Sequence, residues 1–293
     1  DKDKVNIRLQ VGATEEGHVA SIHGLKWLQE HASPNSGYRN AQMMGISEQF
    51  RLETPVVLSA TQAGNKADYL YATDSAVDGY WNGNWGLLRS YATRQNDLPA
   101  LPNNPVSRRA SRLRNAKDFH DMCPATAPKR SYDITAVTAA DALPGGTLTY
   151  NTRGQIHDPT AILYVMSEDL DAAGNLKPTA PVEPLILRAA AGDCIEVTLR
   201  NNLPANMPDL DGFNTMPPII DFFNANQVKP SNKVGLHAQL VSYDVTKADG
   251  ANVGNNRIQT VSPDDLAPKF YRWYAGDVKV ENSLLVATPM EFG

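Results

Sequence analysis

The sequence predicts an all-β protein built from β-sandwiches. Three observations carry that expectation. Apolar and polar residues alternate with period two in several short segments, twenty Gly and twenty Pro cut the chain between them, and helical periodicity is scarce. Alternation of that kind marks a strand with one face buried and the other in water. Many short strands with turn punctuation mark sandwiches rather than a helical or α/β fold.

The elements follow in order. "VNIRLQV" (5–11) puts Val5, Ile7, Leu9 and Val11 on one face and Asn6, Arg8 and Gln10 on the other. "CIEVTLRN" does the same with Ile195, Val197 and Leu199. "AILYVM" and "PLILRA" are short apolar runs and read as buried strands. "KFYRWYAG" is aromatic-rich and strand-like. Turn signals separate these runs at "LPGG" (143–146), "AAGN" (172–175) and "ADGANVGNN" (248–256). "KWLQEHA" predicts one or two helical turns, and "SRLRNAKDFHDM" a short helix.

The middle of the chain differs. "NDLPALPNNPVSRRASRLRNAK" (96–117) carries Pro99, Pro102 and Pro105, then Arg108, Arg109, Arg112, Arg114 and Lys117. A Pro-rich and then basic stretch reads as a linker or extended strap with its charges in water. It divides the chain into a domain over 1–95, a linker over 96–131 and a second domain over 132–293.

At 293 residues and net charge −5, the chain is long enough for two domains with real cores. Mild acidity argues against a nucleic-acid partner. No apolar run approaches the roughly 18 residues a membrane span needs. The opening "DKDKVNIRLQ" has no leader character, as expected of a processed or internal segment. Cys123 and Cys194 form no C-x-x-C pair, which excludes a zinc ribbon or thioredoxin-type motif. A disulfide between them, worth about 4 kcal/mol in the chain-entropy model, and two buried thiols both remain open.

Two stretches carry imidazole. "GHVASIHGLKW" (17–27) holds His18 and His23, and "VGLHAQLVSYD" (234–244) holds His237. Imidazole nitrogen suits copper, zinc and iron. On a regular strand, however, residues five apart face opposite sides, so His18 and His23 reach one ion only across a bend. His31, His120 and His157 have no supporting pattern and read as surface or structural. Asp244 and Asp249, with Asn252, Asn255 and Asn256, make an oxygen-rich turn. Hard cations take such ligands, but Asx-turn chemistry accounts for it without metal, as it does for "PDLDGFN" (208–214). Tyr69, Tyr71, Tyr80, Trp81 and Trp85 are read as core aromatics rather than an electron path.

"HVASIHGLKW" resembles the His-rich strand of the multicopper oxidase superfamily, whose domains are cupredoxins. That strand runs His, two residues, His, one residue, His, Gly, His. His18 matches the first position, His23 the third and Gly24 the glycine, while Ser21 and Leu25 stand where two histidines would be. "DYLYATDSAVDGYWNGNWGLLRSY" (68–91) resembles the family's closing segment. Ala72, Thr73 and Asp74 follow Tyr71 where His-Cys-His belongs, so the blue-copper thiolate is missing. "AAAGDCIEVTLRNNLP" (189–204) resembles the family's opening strand, and "VGLHAQLVSYD" its His-x-His-Gly strand, with Gln239 at the second histidine.

The resemblance implies two cupredoxin-like Greek-key β-sandwiches. The first lacks its opening strand, the second is cut short, and the chain is an internal slice. "NSGYRNAQMMGISEQF" (35–50) and "LVSYDVTKADGANVG" (241–254) point to the large bacterial manganese- or iron-oxidising branch. The implied function is copper-dependent oxidation of metal ions or organic donors coupled to dioxygen reduction. The chain would be mainly scaffold, with copper ligands at most at His18, His23 and His237, and no catalytic or organic-cofactor residue. The implied partners are the remainder of the same protein or further copies of the chain, outside the cell, at its surface or in the periplasm. The alternative is a copper-free cupredoxin-like structural module of an extracellular assembly or filament.

Overall fold

The computed structural model describes residues 5–12, 17–54, 66–73, 83–91, 95–99, 102, 115–206, 231–282 and 284–290. The basic run from Arg108 to Arg114, the aromatics Tyr80 and Trp81, Asp74 and the 208–214 turn lie outside them.

The described chain is all-β. The N-terminal unit has two main sheets and a short two-stranded ladder. In one, β1 (Val5–Gln10) pairs antiparallel with β6 (Gln49–Thr54), setting Ile7 opposite Leu52 and Leu9 opposite Phe50. The alternation of "VNIRLQ" is kept, with Val5, Ile7 and Leu9 turned toward the core and Asn6, Arg8 and Gln10 exposed. The other sheet has the order β5 (Ala41–Met44), β2 (His18–Ile22), β7 (Lys66–Ala72), β8 (Trp85–Tyr91). Between β2 and β5, the strands β3 (Trp27–Leu28) and β4 (Tyr38–Arg39) form a short antiparallel ladder.

That ladder replaces the helical turns expected over "KWLQEHA". Trp27 is 1% exposed, and a strand beside the β2 turn buries its indole on the sandwich interior. Tertiary burial outweighs weak local helix propensity.

After Asn115 the chain makes a 3-10 turn at Ala116–Asp118, within the stretch read as a short helix, whose residues 111–114 lie outside the described ones, then pairs β9 (Phe119–His120) with β10 (Cys123–Pro124). The C-terminal unit is built on the sheet β14 (Ile162–Met166), β11 (Lys129–Thr138), β15 (Cys194–Asn201), β16 (Lys269–Tyr274). The β11–β15 pair is parallel and the others antiparallel. A four-residue helix, α1 (Ala139–Ala142), follows β11, with Thr138 capping it through the Asp141 N–H. Hairpins β12 (Leu148–Asn151) with β13 (Ile156–Asp158) and β17 (Gly276–Glu281) with β18 (Leu284–Pro289) complete the unit.

"CIEVTLRN" and "KFYRWYAG" thus become adjacent strands, and "AILYVM" an edge strand. "PLILRA" forms no strand. Leu185 and Leu187 pack on the core while Ile186 is 59% exposed, and the Tyr132 hydroxyl bonds the Arg188 backbone. The segment lies over the surface as an extended cover.

Cys123 and Cys194 are disulfide-bonded, 71 residues apart in sequence. The bond ties the stretch before β11 to the start of β15. The last part of the 96–131 strap is therefore built into the C-terminal sheet. One apolar core runs through both units, joining Ile22, Trp27, Leu52 and Tyr69 to Ile134, Val197, Val245, Tyr271 and Trp273. Among the described residues no helix is long and apolar enough to cross a membrane.

Candidate functional site

Two of the three histidines singled out from the sequence meet at the seam between the units. His23 follows β2 directly, and its backbone N–H donates to Leu70 O on β7. Gly24 then takes φ +73°, where a Cβ would press on Val245 at 3.3 Å. The chain can therefore turn there and bring the His23 ring against the 243–250 segment.

His237 lies in an extended stretch held by single bridges, Val234 to Val261 and Ser242 to Tyr274. Gly235 and Gly250 let that stretch touch the next loop backbone to backbone, since a Cβ on Gly235 would sit 1.9 Å from Gly250 O. Asp249, just before Gly250, is thereby placed beside both imidazoles.

The His23 and His237 rings stack, with centroids 4.0 Å apart and planes 25° from parallel. His23 Nδ1 lies 3.0 Å from Asp249 Oδ2. His237 Nδ1 lies 2.8 Å from the Asp249 carbonyl oxygen and 3.3 Å from Oδ1. A carbonyl only accepts, so His237 Nδ1 carries a proton. The carboxylate imposes the same tautomer on His23. Each ring then keeps Nε2 away from the aspartate.

The Asp249 side chain is fully buried. Burial alone would raise its pKa, but hydrogen bonds from His23 and His237 outweigh that and hold it down at about 2. Burial pulls His237 down as well, and its bond to Asp249 reverses the direction and raises it. The Tyr243 hydroxyl donates to Asp249 Oδ1 at 2.9 Å, and burial pushes that phenol well above its usual range.

The loop is fixed from behind. The Asp249 and Gly250 N–H groups donate to Gln259 Oε1 at 2.6 and 3.2 Å, Gln259 Nε2 donates to Val245 O, and Trp273 Nε1 donates to Ala248 O. A second fully buried carboxylate, Asp68 on β7, clamps the same loop to the N-terminal unit. It accepts both arms of Arg89 at 2.6 and 2.9 Å and the Asn255 N–H at 2.6 Å. Asn256 bonds the Asp68 backbone in both directions.

The oxygen-rich turn is accounted for by these bonds. Asn252 Oδ1 accepts from the Gln259 and Thr260 N–H groups, and Asp249, Asn255 and Asn256 are engaged as above. Asp244 Oδ1 accepts from Thr246 at its backbone and hydroxyl, while its Oδ2 is buried without a hydrogen-bond partner, with Lys247 Nζ 3.9 Å away.

Among the described residues, His23, His237 and Asp249 form a group of metal-ligating type, their donor atoms within 4.8 Å of one another. His18 stands apart from it, at the start of β2 opposite Met44. His120 bonds Arg272, and His157 sits on β13 opposite Thr149. Sequence reasoning missed the link between Asp249 and the histidines, and missed Asp68 and Gln259 altogether. His23 is 226 residues from Asp249 and Asp68 is 187 from Asn255, while His237 and Gln259 lie closer to Asp249 but share no local pattern with it.

The donor set does not fit the copper centres that the resemblance implies. Both cysteines of the chain are in the disulfide, so no thiolate is available for a blue site. The near-parallel imidazoles also matter. An imidazole binds along a lone pair in its ring plane, at about 2.0–2.1 Å. Here the ring centroids are 4.0 Å apart, the planes are inclined by 25°, and both rings turn Nδ1 toward Asp249. One ion held by both rings would need a ring to rotate away from Asp249.

No model of a known protein family matches the chain, and no curated protein matches it.

Proposed function

We propose that this chain is a copper-free, cupredoxin-like scaffold module of an extracellular assembly of the multicopper-oxidase type. In this reading the two β units are sandwiches of that kind. His23 and His237, at positions that resemble copper ligands, serve as a polar lock on Asp249. One observation carries the reading: both imidazoles direct Nδ1 to the same buried aspartate while stacked ring on ring. The lock joins the end of β2 to the 237–250 segment and so fixes one unit against the other. The disulfide fits an oxidising compartment.

A second reading has one specific observation in its favour. Two imidazoles and a carboxylate within 4.8 Å are a donor set that zinc or copper accepts. Histidines that bind metal commonly donate their other ring N–H to a carboxylate or a backbone carbonyl, as His23 does to Asp249 Oδ2 and His237 to Asp249 O.

Titration of the whole chain with zinc and with copper, read by elemental mass spectrometry after desalting, decides between the two. The scaffold reading expects no stoichiometric metal, and the same result in His237→Ala. One ion per chain, lost in His237→Ala, would overturn it in favour of the metal site.

A further inference from the structure

We propose that the side chains of Lys247 and Asp121 become joined by an amide bond, formed by the chain itself with Asp244 carrying the protons. The bond would tie the β9–β10 turn to the loop after the His237 stretch. It lies outside the His23–Asp249–His237 cluster and does not depend on the function proposed above.

The groups that such a step needs are together. Lys247 Nζ is in contact with Asp121 Oδ1. Arg272 Nη1 lies 3.1 Å from Asp121 Oδ2, and His120 Nε2 lies 3.8 Å from the same oxygen. Asp244 Oδ2 lies 3.9 Å from Lys247 Nζ. That oxygen is the exception in the group. It is buried with no hydrogen-bond partner, while Oδ1 takes both donors of Thr246. Buried polar atoms are nearly always paired, and an orphaned carboxyl oxygen facing an amine is placed to take up and return a proton. Burial, helped by the charge of Asp121, raises the Asp244 pKa against the bonds from Thr246 and the charge of Lys247. Its acid form is therefore easier to reach than that of an ordinary carboxyl.

Both reacting residues are held in place. Asp121 and Met122 take φ +52° and +73°, a left-handed pair without glycine that the surrounding structure has to enforce. Met122 is buried against Leu285, which anchors the turn. The Lys247 N–H donates to Asp244 O, so the amine and the acid share one turn of the loop. An amine fixed against a carboxyl reacts as though at a concentration on the order of 10⁵ M or more when well oriented.

The step balances within the chain. Lys247 Nζ bonds to Asp121 Cγ, and the bond from Cγ to Oδ1 breaks. Two of the three ammonium protons leave on Oδ1 as water, each handed over by Asp244, which ends in the state in which it began. The third stays on the amide nitrogen. Negative charge that builds on Oδ2 during the addition faces Arg272. In the product, Oδ2 is an amide carbonyl that still accepts from Arg272, and Arg272 keeps Glu196 at 2.8 Å as its charge partner. The new amide N–H gives Asp244 Oδ2 the donor it lacks. No oxidant, reductant or second substrate is needed.

The test is the intact mass of the whole chain, denatured and with its disulfide reduced. The unmutated chain should be lighter than its sequence by one water. A tryptic digest should yield residues 118–129 joined to residues 234–257, with no cut after Lys247. Lys247→Arg keeps the charge at a partly exposed position and should restore the full sequence mass. Asp244→Asn keeps an acceptor for Thr246, removes the proton carrier and should also leave the chain at full mass. Where Asp244→Asn does not fold, the digest and Lys247→Arg still decide whether the bond forms. An unmutated chain at full sequence mass, a water loss that persists in Lys247→Arg, or complete bonding in Asp244→Asn would overturn the proposal.

Discussion

Asp249 accepts a hydrogen bond from His23 across 226 residues of chain. The other oxygen of the same carboxylate lies 3.3 Å from His237 Nδ1. A fully buried anion held by two imidazoles is stable only while they hold it, because a buried charge stripped of a partner keeps its desolvation cost. His23→Ala should therefore destabilise the protein by about 2 kcal/mol, and His237→Ala by a similar amount. The two losses should not add, since each histidine orders the other's acceptor. Urea unfolding of both single variants and the double variant measures the coupling. Strict additivity would mean that the rings stack without sharing Asp249.

The pH dependence follows from the same three residues. Asp249 sits at about 2, well below its ordinary value. Its contribution is full above the unfolded pKa of about 3.9 and is lost as pH falls through about 2. The shift corresponds to about 2 kcal/mol, undiscounted because the side chain has no exposure. His237 is raised, so its contribution is full below about pH 6.5 and fades as pH rises through the folded value. Tyr243, held well above its usual range, stays a donor throughout.

The cluster is thus strongest between about pH 4 and pH 6.5. Metal-free protein should have a lower urea midpoint at about pH 8 than at about pH 5.5, and His237→Gln should flatten that difference. A slope unchanged in His237→Gln would assign the pH dependence to other groups.

Much of the fold was legible because strand periodicity is local. "VNIRLQ" and "CIEVTLRN" carry one apolar face each, and the structure buries those faces in β1 and β15. Where composition alone was used, the reading failed. "PLILRA" is apolar but covers a surface, and "KWLQEHA" trades helix for the burial of Trp27. At the site, His18, His23 and His237 were singled out as positions that resemble a family's ligands, and the structure brings together only the last two. Their shared acceptor was not legible, because Asp249 reads locally as a turn residue beside Gly250. The Asp68 clamp was hidden for a related reason: a carboxylate on an apolar strand signals that something must pair with it, but not what.

The disulfide yields a prediction on the covalent side. It closes a loop of 71 residues, and the chain-entropy model gives about 4 kcal/mol for a loop of that size. Replacing both cysteines by serine should lower unfolding stability by about that amount. Reductant should do the same to the unmutated protein and nothing to the variant. Non-reducing peptide mapping should recover the Cys123 and Cys194 peptides joined. Equal stability with and without reductant would show the bond to be energetically idle.

Asp68 makes the second tie across the seam, and the prediction there separates local from global effects. Burial would raise its pKa, yet the hydrogen bonds and charge of Arg89 together with the bonds from Asn255 outweigh burial and lower it. Asp68→Ala would leave the Arg89 guanidinium, the Asn255 N–H and the Asn255 amide without their acceptor. Removing one partner of a buried charge pair costs about 3–5 kcal/mol, a large part of a domain's net stability. Asp68→Asn keeps the shape and an acceptor oxygen for the Asn255 N–H, but loses the charge that pairs Arg89, and should cost about half as much. Limited proteolysis reports where the loss falls. Asp68→Ala should expose the 252–257 stretch to cleavage before β11, β15 and β16 open, because that loop is held to β7 through Asp68 and Asn256. Cleavage beginning instead in the C-terminal sheet, with the loop still protected, would mean that the Gln259 and Asn252 bonds alone hold the loop and that Asp68 serves only its own strand.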